Sequence, residues 1–201
     1  YEILVGDWSS DVCSSDYASK TRPPVSARQN EEVFEKREAR FIRFTIQKTT
    51  GGEGCIDELE VYAEGRNVAL ASSGAKATSS GDFVHPKHKL LHINDGRHGN
   101  DRSWIVDSAK GGWVQIELAA PTVIDRVVWG RDRNGQYADR LPIEYRIESA
   151  VEAGQWKLLA SSADRRPFGR ARPMAGGARC SGNPRRDTWP PKQQKARTAR
   201  R

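Results

Sequence analysis

Long apolar runs are missing from this sequence of 201 residues. No stretch approaches the roughly 18 consecutive apolar residues that a membrane helix needs, so we expect no membrane insertion. Residues 1–16 (YEILVGDWSSDVCSSD) also lack the basic start and the unbroken apolar run, roughly 7–15 residues long, that mark a secretory signal.

Cysteine is scarce as well. The three cysteines are Cys13, Cys55 and Cys180, and only Cys55 lies within a patterned part of the sequence. A single cysteine makes no intrachain disulfide framework, so the redox compartment cannot be inferred from it.

Acidic residues are almost missing from residues 165–201, which hold 12 Lys and Arg but a single acid, Asp187. Residues 1–164 have a net charge of −4, so the net charge of +7 belongs wholly to the tail. The body therefore gives no electrostatic reason to expect nucleic acid as a partner. Residues 169–201 are interpreted either as a disordered basic tail or as frameshifted sequence, because an out-of-frame read of GC-rich DNA has the same Arg, Pro and Gly bias.

Residues 1–38 show no strand pattern either. Residues 1–16 resemble the translated remnant of a sequencing adapter, with a disordered terminus as the alternative. Residues 17–29 contain a Pro-Pro pair and are predicted to be a linker. Residues 30–39 (NEEVFEKREA) are predicted to form one short charged helix with Asn30 as its N-cap.

From residue 39 onward the apolar residues recur with a period of two. In FIRFTI, for example, Ile42, Phe44 and Ile46 fall on one face. Similar runs follow: CIDELEVYA, WVQIEL, IDRVVWG, IEYRIES and QWKLLAS. Short alternating runs bounded by Gly, Pro, Asn and Asp predict half-buried antiparallel strands. Because no long amphipathic helix interrupts them, the sequence predicts an all-β sandwich or barrel.

Three stretches carry a family resemblance: NVALASSGAKATSS (67–80), HINDGRHGNDRSWIVD (92–107) and the strand-rich stretch from Gly111 to Ser162. In this order they resemble the discoidin, or coagulation-factor type C, domain of the galactose-binding-like family, as found in large planctomycete-type surface or periplasmic proteins. The resemblance implies a jelly-roll β-sandwich and an extracellular or periplasmic location. Such a fold alone does not name a ligand, because the family binds sugars, lipids and proteins through variable loops.

The order of the strands departs from the family's pattern. Such domains end in a strand pair like ARFIRFTI…CIDELEVY, which here comes first, at residues 39–64. Residues 39–168 are therefore predicted to form one circularly permuted domain, which is tolerable because domain termini often lie close together. The alternative is the end of one tandem copy followed by a truncated second copy.

The resemblance also implies a structural Ca²⁺ ion. The family's Asp-Gly ligand corresponds to Asp95, and a Glu from the closing strands corresponds to Glu58. The NDGRHGND loop and the residues after it supply Asn100 and Ser103 as further oxygen ligands. This sequence has extra residues between Gly96 and Trp104, so Asn100 and Ser103 depart from the family's pattern. An Asn-Asp-Gly turn that needs no metal is the alternative.

A long loop at 129–142 (WGRDRNGQYADRLP) is the predicted ligand site. Arginine has a rigid fork of donors, asparagine both donates and accepts, and tyrosine adds an aromatic face. Galactose-binding relatives have a similar loop whose Arg contacts sugar, which corresponds to Arg131. The predicted contacts are Arg131, Arg133, Asn134 and Tyr137, and the alternative is a solvated hairpin with internal Arg–Asp pairs.

Histidines cluster in HPKHKLLHINDGRH, and His88 is predicted to hydrogen-bond a sugar hydroxyl, with His85 as the other choice. His88 and His92 are four apart, but Pro86 and the Asn-Asp-Gly turn argue against the helix that a zinc pair would use. An ordinary surface or packing role is the remaining alternative.

No catalytic motif is present: the sequence has no nucleophile elbow, P-loop or Gly-x-Gly-x-x-Gly. No enzyme activity is therefore expected. The sequence predicts a non-catalytic carbohydrate-binding module from a larger extracellular or periplasmic protein, with a glycan or polysaccharide as partner. A module that binds other protein domains, without a glycan, is the alternative.

Overall fold

The computed structural model describes residues 22–169, and no α-helix occurs among them. Nine strands do: β1 Asn30–Thr49, β2 Cys55–Ile56, β3 Glu58–Ala63, β4 Arg66–Asn67, β5 Lys76–Ser79, β6 Trp104–Ile105, β7 Gly112–Gly130, β8 Pro142–Ala150 and β9 Lys157–Ser161. Three short 3-10 turns lie at Ala71–Ser73, Leu90–His92 and Asn100–Arg102. The predicted all-β class is confirmed.

Two long strands organise the sheet. Its order is β4-β3-β7-β1-β8-β9, with β5 also paired to β7, and all these pairings are antiparallel. The first half of β7 pairs with β5 and with residues 41–46 of β1, whereas its second half pairs with β3 and with residues 30–39 of β1. Both long strands therefore run through two layers, and irregular register between Val33 and Phe41 marks the bend.

The core lies between these layers. Phe44 of β1 and Tyr145 of β8 lie in one layer and Trp129 of β7 in the other, and the three ring centroids are 5.0–5.1 Å apart. All three residues are fully buried. The alternating positions predicted to point inward on β1, Ile42, Phe44 and Ile46, are at most 2% exposed. This cross-layer packing is the sandwich arrangement that the alternation predicts.

The helix predicted at residues 30–39 is wrong, because these residues form the first half of β1. Asn30 pairs with Trp129, and Ala39 pairs with Thr122. Asn30 and Glu32 point inward and are buried, while Glu31 and Val33 are exposed, so the period is two. The charge on Glu32 hides that period in the sequence, and tertiary pairing overrides the local helical preference.

Residues 22–29, predicted as linker, pack against the sandwich. Val25 is only 6% exposed, and the carbonyl oxygen of Ala27 accepts hydrogen bonds from the backbone N–H groups of Arg131 and Asp132. The backbone of Arg22 forms an isolated parallel β-bridge with that of Arg165, which lies near the other end of the described residues. β1 lies between β7 and β8, and β3 pairs with β7, so these two strands share one sheet with the strands of residues 112–161, while β2 pairs separately with β6.

Candidate functional site

The loop between β7 and β8 meets the segment between β5 and β7 at a cleft of about 260 Å³. The residues that line it combine aromatic, cationic and amide side chains: Phe83, His85, His88, Asn100, Ile105, Arg131, Tyr137, Asp139 and Arg140. Arg131, Tyr137 and His88 are three of the five predicted ligand contacts. The structure therefore brings together two stretches that are about 40 residues apart in the sequence.

A larger groove of about 610 Å³ lies beside β8 and the last described residues. Its cations Lys48 and Arg146 are paired with Glu144 and Glu148, at 3.1 and 2.6 Å, just as the arginines of the smaller cleft are paired with carboxylates. The smaller cleft is the stronger candidate, because two separate segments of the chain converge there and bring aromatic, amide and guanidinium groups together.

Asp132 shapes the loop that forms one wall of the cleft. Its carboxylate is fully buried and accepts hydrogen bonds from the backbone N–H groups of Asn134, Gln136 and Tyr137 at 3.2, 2.9 and 3.0 Å. Gly135, with φ of 73°, completes the turn in a conformation that favours glycine. The loop is therefore held by its own first acidic side chain before any ligand arrives.

Arg131 lies at the base of the cleft, and its side chain is only 3% exposed. Its guanidinium donates to the Asp139 carbonyl oxygen at 2.7 Å, to Asp139 Oδ1 at 2.9 Å and to Asn100 Oδ1 at 2.7 Å. A guanidinium has five N–H donors, so these bonds leave donors for a ligand. The arginine is thus both a structural clamp and a fixed donor.

Aromatic groups surround that donor. Tyr137, which is 46% exposed, has its ring centroid 5.5 Å from the Arg131 guanidinium carbon. The rings of His85 and His88 lie 4.6 Å apart, and Phe83 lies 6.4 Å from His85. A sugar ring has an apolar C–H face as well as hydroxyls, so the exposed Tyr137 ring beside a polar base suits such a ligand.

His88 is tied to two residues that the sequence predicts as calcium ligands. Its Nδ1 lies 2.8 Å from Ser103 Oγ, and Ser103 Oγ in turn donates to the Asn100 carbonyl oxygen at 2.8 Å. Burial, and then the neighbouring His85 and Arg131, lower the pKa of His88 below its usual value of 6.5. His88 is therefore neutral near pH 7.

The other two predicted ligand contacts point away from the cleft. The Arg133 guanidinium donates to Glu60 Oε2 at 2.8 Å, and the same carboxylate lies 3.2 Å from His98 Nε2. Asn134 is exposed on the turn, beyond the residues that line the cleft. Arg131 and Arg133 are two residues apart, and the turn places them on different sides of the loop.

The four predicted calcium ligands divide into two pairs. Asn100 and Ser103 belong to the cleft, through Arg131 and His88. Glu58 instead accepts from the Gly96 N–H at 2.9 Å, next to Asp95, whose carboxylate accepts from Arg97 N and pairs with Arg102. The four side chains therefore do not converge on one point.

Glu58 is the unusual member of that second pair. It is fully buried, and its Oε2 has no hydrogen-bond partner within residues 22–169. Burial, with the nearby charges of Asp95, Glu60 and Asp57, raises the pKa of Glu58 to about 9. A buried carboxylate in this state needs a proton or a cation.

Among the described residues, no three His, Cys, Asp or Glu side chains group as a metal centre. Calcium also binds hydroxyl, amide and carbonyl oxygens, so a calcium site with two carboxylates does not require three acidic, histidine or cysteine side chains. Glu58 fits calcium through its unpartnered buried Oε2, and Asp95 lies beside it but would have to exchange its pair with Arg102 for the ion. Asn100 and Ser103 do not fit, because they lie in the cleft against Arg131 and His88.

Phe83 and Ile105 also line the cleft and had no predicted site role, whereas Asp139 and Arg140 lie in the predicted 129–142 loop but were not among its predicted contacts. Arg140 has a positive φ of 57°, which is uncommon for a residue other than glycine, and it pairs with Glu53. The signal available for this loop was Asp132, because Asp followed by Arg-Asn-Gly is a turn pattern that holds its neighbours in place.

The four tryptophans that lie in or next to strands divide into two pairs. Trp104 and Trp129 are fully buried in the core. Trp113 and Trp156 instead flank the Arg43 guanidinium, at 4.5 and 4.1 Å, on the outer side of the sheet. These two indoles are engaged with a protein cation, so we assign them no ligand.

Within residues 22–169, no helix has the length and apolar character to cross a membrane. Comparison with protein-family models, with curated proteins and with solved structures gives no match to this chain. The resemblance to the discoidin family therefore stays a prediction, and the function is inferred from the geometry of the cleft.

Proposed function

We propose that this protein is a non-catalytic module that binds a neutral glycan in the cleft between the 131–141 loop and residues 83–105. The observation that carries the proposal is the fixed Arg131 guanidinium beside the exposed Tyr137 ring. This pair offers hydrogen-bond donors for hydroxyls and an apolar face for C–H groups in a shallow cleft.

The charge around the cleft favours a neutral sugar over an anionic one. The cations Lys87, Arg131 and Arg140 are each paired with a carboxylate, from Asp101, Asp139 and Glu53 respectively. These three pairs balance one another, so the lysine and arginine side chains add no net charge to the site. A glycan whose charge needed compensation would find no free counter-charge there.

A glycan array and insoluble-polysaccharide pull-down with the full chain test this proposal. Tyr137→Ala removes the exposed ring, so it should abolish binding while the melting temperature stays unchanged. Phe168→Ala is the matched control, because Phe168 is a similarly exposed aromatic residue, at 42%, outside the cleft. Binding that survives Tyr137→Ala, or a folded wild type that binds no glycan, would contradict the proposal.

We further propose that a Ca²⁺ ion braces the module at Glu58 and Asp95. The support is the buried, unpartnered Oε2 of Glu58 among other acidic groups. An ion there would neutralise the carboxylates and hold the Asp95–Gly96 turn against β3. Isothermal titration of the full chain with CaCl₂ tests the proposal, with Glu58→Gln expected to bind no calcium.

A further inference from the structure

The hydrogen bonds of the cleft determine where the protons of its two histidines lie. A neutral imidazole has one N–H donor and one bare acceptor nitrogen, and its partners decide which is which. His85 and His88 lie in the cleft wall with ring centroids 4.6 Å apart. Each ring makes one hydrogen bond within the described residues, and both bonds involve Nδ1.

The partner of His88 Nδ1 is a hydroxyl whose only proton is already used. Ser103 Oγ lies 2.8 Å from the Asn100 carbonyl oxygen, which can only accept, so the hydroxyl proton points there. Ser103 Oγ must then act as the acceptor toward His88 Nδ1, at 2.8 Å. His88 consequently has its proton on Nδ1, and its Nε2 is a bare acceptor.

The partner of His85 Nδ1 has the opposite polarity. The backbone N–H of Lys87 donates to His85 Nδ1 at 3.2 Å, so this nitrogen is the bare acceptor of the ring. In the neutral ring the proton therefore lies on Nε2. Two neighbouring imidazoles, tilted by 34°, thus differ at the same atom: Nε2 donates in His85 and accepts in His88.

We propose that these opposite tautomers make the cleft selective for a ligand edge that both donates and accepts hydrogen bonds, such as two neighbouring sugar hydroxyls. This inference rests on the proposed glycan-binding function and deepens it. A carboxylate can only accept, so it would meet the lone pair of His88 Nε2. An ammonium can only donate, so it would meet the N–H of His85.

Arg131 and Arg140 alone would predict the reverse preference, because two guanidinium groups suit a carboxylate. The carboxylates of Asp139 and Glu53 already neutralise the charges of these two groups, so what Arg131 still offers is N–H donors rather than an unpaired charge. The histidine pair therefore decides between a neutral sugar and its acidic counterpart, and Ser103 is the positioning residue that sets the polarity of His88.

Long-range ¹H–¹⁵N correlation spectra of the imidazole rings, recorded on the full chain at pH 8, test the tautomers directly. The chain has four histidines, and His85→Gln and His88→Gln assign the two signals by their loss. We expect the Nδ1–H form for His88 and the Nε2–H form for His85. An Nε2–H signal for His88 would overturn the inference.

Competition among D-galactose, D-galacturonate and D-galactosamine tests the selectivity. We expect D-galactose to bind at least about tenfold more tightly than the two charged sugars, the scale of one mismatched buried hydrogen bond. Ser103→Ala should move the His88 proton to Nε2 in the spectra and reduce that preference, with the circular dichroism spectrum unchanged. D-galacturonate binding as tightly as D-galactose would overturn the selectivity. If no sugar binds, the proposed function fails, and the spectra still decide the tautomers.

Discussion

Glu32 and Glu58 are both completely buried, but their carboxylates have opposite surroundings. Glu32 accepts hydrogen bonds from Arg22, Arg165, Tyr145 and the Trp129 indole. Glu58 accepts one hydrogen bond, from the Gly96 N–H, and has three acidic neighbours. The difference shows that burial alone does not tell whether a charge stabilises a fold, because the partners determine its effect.

The position of Glu32 explains why so many groups converge on it. It points into the core from β1, while Arg22 and Arg165 come from the first and last parts of the described residues. Arg22 also pairs with Asp164, and Arg165 donates to the carbonyl oxygen of Pro23. One carboxylate thus joins both ends of the described chain to the sandwich.

Removing the Glu32 carboxylate is expected to have the largest effect on stability. Glu32→Ala leaves two guanidinium groups without their buried partner, so we expect a loss of about 3–5 kcal/mol in the free energy of unfolding. Urea denaturation of the full chain measures it. Glu31→Ala is the control. The Glu31 side chain is next to Glu32 in the sequence but is 44% exposed, and its ion pair with Arg126 contributes about 1 kcal/mol or less. Equal losses for the two variants would contradict the contrast.

Glu58→Gln should act in the other direction. The folded-state pKa of Glu58 is raised from 4.5 to about 9, so its unfavourable contribution is absent below about pH 4.5 and grows as the pH rises toward 9. In chelator at pH 8, Glu58→Gln should therefore be more stable than the wild type, and the gain should grow with pH by at most about 1.4 kcal/mol per unit.

Calcium separates this effect from simple repacking. In chelator the Glu58 carboxylate destabilises the wild type, and CaCl₂ should restore that stability. Glu58→Gln should melt at the same temperature in both buffers. Thermal melts at pH 5, 6, 7 and 8 measure both. A wild type whose melting temperature rises with pH in chelator would contradict the raised pKa.

The contrast between the two glutamates also shows where sequence reasoning stops. Alternation predicted β8 and the inner face of residues 42–46 because the inward positions that define the pattern there, such as Phe44, Tyr145 and Ile147, are apolar or aromatic. It missed residues 30–39 because Glu32 occupies an inward position, and its two arginine partners are 10 and 133 residues away. Only the folded chain shows that this charge is compensated.

The candidate site shows the same limit in another form. Residue type and the family resemblance selected the 129–142 loop and gave five candidate contacts, Arg131, Arg133, Asn134, Tyr137 and His88, of which Arg133 and Asn134 lie outside the cleft. Spacing also grouped Asn100 with Asp95, but the 3-10 turn at Asn100–Arg102 directs Asn100 to Arg131 instead. Hydrogen-bond partners that are distant in the sequence are set by tertiary packing, so a loop can be predicted more easily than the inward or outward direction of each of its side chains.

Arg131→Ala and Tyr137→Ala should separate the structural and ligand-facing parts of the cleft. Arg131→Ala leaves Asn100 Oδ1 and two Asp139 oxygens without their donor, so we expect a loss of about 1–3 kcal/mol in stability together with any binding. Tyr137 is 46% exposed, so its removal should change stability by less than about 0.5 kcal/mol. Urea denaturation of both variants measures these losses. An Arg131→Ala variant as stable as the wild type would show that the guanidinium is not a structural clamp.

Among the glutamates, the smallest effect is expected at Glu144, where neither burial nor a lack of partners applies. Glu144 on β8 is 56% exposed on its side chain and pairs with Lys48 at 3.1 Å. Water solvates this carboxylate in both the folded and unfolded states, so Glu144→Gln should change the free energy of unfolding by less than about 1 kcal/mol, and less still in 1 M NaCl. A loss at Glu144 comparable to that at Glu32 would show that total negative charge, rather than the partners of each carboxylate, governs the stability of this sandwich.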